Sequence, residues 1–312
     1  MWDEDLNSRR ATRKQRPAAR LRPRVRQCGS AARWHQGRFC SRQHPRTHAI
    51  CTRSMWRLPQ VDRRRYPRNS LEVVLAQVRF HPILKLPSRI GEFQEHVRER
   101  FPSYADEHLK SVEVFPDGTT QVRSDQLFRF ASVLAPRHIQ LTTTSLTLEV
   151  RDYNRREDLS ADFSLGLHAL TKGVGVPSFF RLGLRFVNAV SRERIGADLG
   201  REVTWSELVT EDFLRTPRLF DADLPRSYHE LTAPLTPGAL TFRYGLLPTP
   251  QASDRLYFRF DMDRYLEGVV DASGIPDLLA KFTDDCFALF ESASATTLRE
   301  WMEQSEPKNH GA

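Results

Sequence analysis

The chain has 312 residues, 39% of them apolar and 28% charged, with a formal net charge of +8. That is enough apolar material for one large domain or two small ones, and it excludes a wholly disordered chain. Residues 1–54 carry 14 Lys and Arg against 3 Asp and Glu, which leaves 33 basic and 36 acidic residues for the rest, so the basic excess is no argument for a polyanion partner of the body.

Residues 1–66 are rich in Arg and Pro, poor in aliphatics and without an apolar period. Such a segment cannot bury enough surface to offset its ordering entropy, and it is predicted to be disordered. Three readings compete: a basic arm that touches nucleic acid, a zinc site, or an upstream extension translated from a start placed too early. Zinc would need Cys28, His35, Cys40, His44, His48 and Cys51. Their spacing contains no pair close to C-x₂-C, which argues against that reading. Composition favours the extension, with Met55 as the true start. Arg outnumbers Lys 41 to 6, a bias of GC-rich coding that bears on genome origin more than on function.

From Leu71 the pattern changes. Leu71–Phe80 is apolar on both faces until Gln77 and Arg79, as in an interior strand. Pro82 and Pro87 break the next stretch. Ser88 is predicted to cap a helix that turns Ile90, Phe93, Val97 and Phe101 to one side. Leu109–Phe115 and Thr119–Val122 read as a hairpin across Pro116-Asp117-Gly118, and Leu127–Leu134, His138–Thr143 and Leu146–Arg151 as three further strands. A second helix is expected over 157–171, ended by Gly173, Gly175 and Pro177. Ser178–Ser191 alternates for more than ten residues and reads as a long central strand.

Residues 188–224 look irregular, apart from a capping box at Thr204 and Glu207. Strands follow near 227–235, 239–247 and 255–262. A helix from Pro276 has one apolar stripe through Leu279, Phe282, Cys286, Phe290 and Ala293. Thr297 and Glu300 suggest a second box that starts a last helix, and residues 306–312 read as a tail. Two stretches share an order of hairpin, polar strand exit and helix: Phe128 to Arg155, ending Asp152-Tyr153-Asn154-Arg155, and Phe242 to Arg264, ending Asp261-Met262-Asp263-Arg264. They suggest two related halves, roughly 67–190 and 191–305. The fold expectation is α+β: an antiparallel sheet system with helices on one side and two pseudo-related lobes.

Leu71–Leu84, Val97–Pro102, Phe179–Val190 and Leu240–Pro248 resemble an uncharacterised, sporadically distributed bacterial family of unknown function. Its signature strand, Arg-Leu-Gly-Leu-Arg-aromatic-Val-Asn, corresponds to Arg181–Asn188. The resemblance spans about Tyr66 to Met302 and leaves residues 1–54 outside. It implies no activity, cofactor or catalytic residue.

Five strands contain an apolar residue, then Arg, then an aromatic, centred on Arg79, Arg129, Arg185, Arg243 and Arg259. In a strand the arginine faces away from its two neighbours, so five of them could line one sheet face. Arg181 joins Arg185 across Gly183, where a ligand or another backbone would have room. One reading is an anion-binding face for phosphate, nucleotide or single-stranded nucleic acid. The other is that Glu149, Asp261 and Asp263 pair with the arginines and the face is merely solvated.

Enzyme signals are poor: no P-loop, G-x-G-x-x-G, H-E-x-x-H or G-x-S-x-G is present. Asp261 and Asp263 could hold a cation, but a strand exit explains them. His168 is expected to be a partly buried helix histidine and Cys286 a core residue. Asp284 and Asp285 are read as the wet face of the last long helix, and Asn188 as closing a turn or serving a site. The candidate site residues are therefore Arg129, Arg181, Arg185, Asn188, Arg243 and Arg259.

A single cysteine in the body fits a reducing cytoplasm, and no apolar run is long enough for a membrane span. The functional expectation is a cytoplasmic, non-enzymatic binding protein. Its partner would be a protein or an anionic ligand, with nucleic acid less favoured. A space between sheet and long helix could admit a small apolar ligand. No cofactor or metal is expected. The alternative is an enzyme that uses the arginine face with Asp261 and Asp263.

Overall fold

Nine strands pair into one antiparallel sheet. The computed structural model describes residues 57–114, 120–215, 226–249 and 252–304, which belong to one compact unit. The strands are β1 (Leu71–Arg79), β2 (Ser103–Val114), β3 (Thr120–Ala131), β4 (Arg137–Leu141), β5 (Ser145–Val150), β6 (Phe179–Val190), β7 (His229–Pro234), β8 (Ala239–Thr249) and β9 (Ala252–Val270). Their order across the sheet is β2-β3-β4-β5-β1-β6-β9-β8-β7.

The alternating sequence of β6 puts it near the middle, between β1 and β9. Leu182, Leu184 and Val190 are fully buried on one face, each worth about 1.5–3 kcal/mol of transfer free energy. The other face carries Arg181 and Arg185, so a slip of one residue would bury the arginines and expose the leucines.

Each half follows one plan. A first strand (β1 or β6) is followed by helical turns and then a meander. The last strand of the meander (β5 or β9) returns to pair with the first. A helix then closes each half: α2 (Arg156–His168) and α6 (Ile275–Ala293), which touch each other. The halves meet at the antiparallel β1–β6 pair, so the two expected lobes share one continuous sheet.

The helices cover one face. α1 (Ile90–Val97) meets β3, α2 meets β5, and α6 lies over β6 and β9. α3 (Arg192–Leu199) follows β6 directly, where the sequence looked irregular. Its signals are Ser191, whose hydroxyl accepts from the Arg194 N–H, and Gly200, left-handed at φ 67°. α4 (Trp205–Leu208) starts with the expected Thr204–Glu207 capping box, α5 (Glu211–Leu214) follows it, and α7 (Thr296–Glu303) ends the described chain.

Several local expectations change. Ser88 does not cap α1; its hydroxyl donates to the Lys85 carbonyl and the cap position is Arg89. α7 begins two residues early, with Ala295 at its cap, so Thr297 and Glu300 form no box. The two short strands read on either side of Ser124 are one strand, β3. Residues 57–66 do not belong with a disordered segment: Leu58 and Tyr66 pack against the core, and Arg64 pairs with Glu303 at 2.8 Å. The basic segment 1–54 with its cysteines, the Pro116–Gly118 turn and the 306–312 tail lie outside the described residues.

Candidate functional site

The predicted arginines do gather on the uncovered sheet face, and there they meet acids on neighbouring strands. Arg185 on β6 grips Asp261 on β9 with both arms, Nε to Oδ1 at 2.6 Å and Nη2 to Oδ2 at 2.5 Å. Arg259 reaches the same carboxylate at 3.5 Å. Arg181 lies 3.5 Å from Asp263 and stacks on Tyr265. Arg243 donates to Glu230 at 2.6 Å. At the other end Arg129 lies 3.5 Å from Glu107 and 2.9 Å from the His138 ring.

This is a cross-strand ladder of opposite charges, the arrangement that stabilises a solvated sheet face. Gly183 offers no vacancy in it, because the Arg181 guanidinium lies over its Cα. Asp261 and Asp263 sit mid-strand, not at a strand exit, and arginines occupy their carboxylates. Burial is the main cause that raises the Asp263 pKa, and it outweighs Arg181 and Arg185. Burial also lowers the pKa of His138, outweighing the nearby Glu149.

Asn188 goes elsewhere. It lies within β6, not at a turn, and faces the helices. The Ser70 hydroxyl donates to its Oδ1 at 3.1 Å. Beside it a cavity of about 880 Å³ opens between the sheet and α6. Its floor is apolar: Phe186 from β6, Met262 from β9, Cys286 and Phe290 from α6, and Met302 from α7, each exposed by 8% or less. Residues 63–69 run over it as a strap.

The strap is tied down at several points. The Tyr66 hydroxyl donates to Glu291 on α6, and burial raises its pKa. Arg68 is buried against Trp301 and pairs with Asp198, while its N–H donates to the Met302 carbonyl. The Ser70 carbonyl accepts from the Ala189 N–H, which joins the strap to β6.

Six arginines line the mouth: Arg63, Arg64, Arg65, Arg151, Arg155 and Arg156. Four have acid partners, respectively Asp284, Glu303, Glu149 and Glu157 for Arg63, Arg64, Arg151 and Arg156. Among the described residues Arg65 binds only the neutral Asn154 Oδ1, at 2.6 and 3.1 Å, and Arg155 has no partner. Asp152, in the same wall, is held by the buried Arg137 at 2.6 Å. The mouth is therefore electropositive in net terms.

The Tyr153 ring stands edge-on to Phe186 at 5.4 Å, and burial pushes its hydroxyl up to about 12. The group stays protonated at neutral pH and keeps its capacity to donate.

The six predicted site residues thus divide between two faces: five arginines on the open face, Asn188 in the cavity. His168 is exposed, not partly buried, and stacks edge-on to His96. Cys286 is buried as a core residue should be, with its thiol pKa raised chiefly by burial. Asp284 is wet as expected, but Asp285 is not. It accepts from Arg264, a fully buried β9 arginine that also lies over Phe282.

Sequence reasoning misses the mouth because residues 63–66 fall in the segment 1–66 that composition marks as disordered. The Asp152-Tyr153-Asn154-Arg155 match was a signal, since that stretch forms one wall of the cavity. Among the described residues no cluster of His, Cys, Asp and Glu is placed to hold a metal, and no helix is long and apolar enough to cross a membrane. Comparison with family models, curated proteins and solved structures found no match to this chain.

Proposed function

We propose that this is a non-enzymatic, cytoplasmic binding protein that holds a small ligand between the sheet and α6. The carrying observation is the cavity of about 880 Å³, whose floor is apolar side chains and whose size falls within that of small-molecule sites. The reading gains from the contrast with the open face, where arginines and acids answer one another and leave little uncompensated charge for a polyanion. Tyr153 and Asn188 add polar groups beside an apolar floor, the pattern by which pockets orient a ligand. One cysteine in the body supports a reducing compartment.

A neutral fluorescent probe, phenylnaphthylamine, tests this. Emission should rise saturably with one probe per chain, and Met262→Trp, which fills the floor, should abolish the rise. No binding, or binding indifferent to the bulky side chain, would reject the cavity as a site.

A further inference from the structure

Resting on that reading of the cavity, we infer that its ligand is an anionic amphiphile, an acyl or aryl chain that ends in a carboxylate or phosphate. The uncommitted polar groups of the lining can all donate. Arg65 and Arg155 face no acid among the described residues, the Tyr153 hydroxyl has no partner there, and the Asn188 amide nitrogen remains after Oδ1 accepts from Ser70. A set whose members can all donate is matched by a ligand that brings acceptors, and guanidinium groups favour carboxylate or phosphate.

Arg65 reaches the 153–155 segment that carries Tyr153 and Arg155, through the side chain of Asn154 between them. The Tyr153 ring against Phe186 then links this segment to the apolar floor. The anion belongs at the mouth, where it stays partly hydrated and carries a smaller desolvation penalty than a buried charge. The chain belongs inside, against Phe186, Phe287 and Phe290. A nucleotide fits less well, because a base needs several polar partners and Asn188 and Thr283 are the polar side chains among the deep lining. The Thr283 hydroxyl already donates to the Leu279 carbonyl.

Isothermal titration of the full chain with four probes of equal chain length tests the inference: decanoate, decyl phosphate, decanol and decyltrimethylammonium. Both anions should bind about tenfold or more tightly than decanol, with the cation weakest. Arg65→Gln with Arg155→Gln should bring decanoate down to the affinity of decanol and leave decanol unchanged. Both arginines are exposed, and the basic N-terminal residues are common to both proteins, so their contribution cancels. If the double variant unfolds, salt supplies the second reading: raising it should weaken decanoate and spare decanol.

Decanol binding as tightly as the anions, or an anion preference that survives both the double variant and high salt, would overturn the inference and leave the cavity as a site. A nucleoside monophosphate binding where decanoate does not would do the same. Failure of all four probes would remove the cavity reading itself.

Discussion

Arg185 and Asn188 lie three positions apart on β6 and face opposite sides of the sheet. Arg185 is locked to Asp261 on the open face, while Asn188 meets Ser70 beside the cavity. The strand serves a structural ladder on its arginine face and a candidate ligand chamber on the other.

The ladder makes an unequal prediction for its two acids. Asp261 is 2% exposed and holds Arg185 through two short bonds, so Asp261→Asn should cost about 2–3 kcal/mol in urea unfolding. Asp263 has a raised pKa, so its contribution to stability is present below the ordinary 3.8 and is lost as pH rises through the folded value. Burial disfavours its ionised form in the fold, so Asp263→Asn should cost less than half as much. Equal losses would contradict the burial argument.

His138 carries the opposite sign. Its pKa is lowered from 6.5, chiefly by burial, and its Nε2 faces donors on Arg129 and Gln140. Its contribution is complete above 6.5 and is lost as pH falls through the folded value. The melting temperature of the parent protein should therefore drop more steeply than that of His138→Gln between neutral pH and the acid side. Parallel curves would mean that His138 titrates alike in both states.

The strap depends on Tyr66. Tyr66→Phe leaves the Glu291 carboxylate, 5% exposed, without that hydroxyl, at a cost of about 1–3 kcal/mol. If residues 63–69 cover the ligand, the same change should speed phenylnaphthylamine release in stopped flow. Release at the parent rate from a destabilised variant would make the strap structural only.

Cys286 reports on the chamber from within. Burial raises its pKa, so little thiolate forms at neutral pH. In a chain with Cys28, Cys40 and Cys51 changed to Ser, a thiol reagent should react slowly with the native protein, more slowly still with decanoate bound, and fast in denaturant. Fast native labelling would show that α6 opens readily.

The sheet was largely legible because period-two alternation survives in short stretches, as Phe179–Val190 and Ala239–Leu247 demonstrate. β9 was read too short. Asp263 and Glu267 resemble a loop in one dimension, whereas in the sheet Asp263 faces Arg181 and Arg264 is sealed under α6. The open-face ladder was half legible: alternation put the arginines on one face, and only strand register could show which acids stood opposite. The cavity was less visible still, since its walls come from segments up to 239 residues apart in sequence, as the Arg64–Glu303 pair shows. Composition made 63–66 look unfoldable because its apolar partner, Phe287, lies on the last long helix, against the Tyr66 ring.

The most direct test uses the methionines. The chain has four, Met1, Met55, Met262 and Met302, and the last two line the cavity. Methyl-labelled methionine gives one resonance for each. Titration with decanoate should shift the Met262 and Met302 signals together, saturably and with one dissociation constant, while those of Met1 and Met55 stay in place. Unmoved Met262 and Met302 signals at saturating decanoate would contradict a ligand chamber between the sheet and α6.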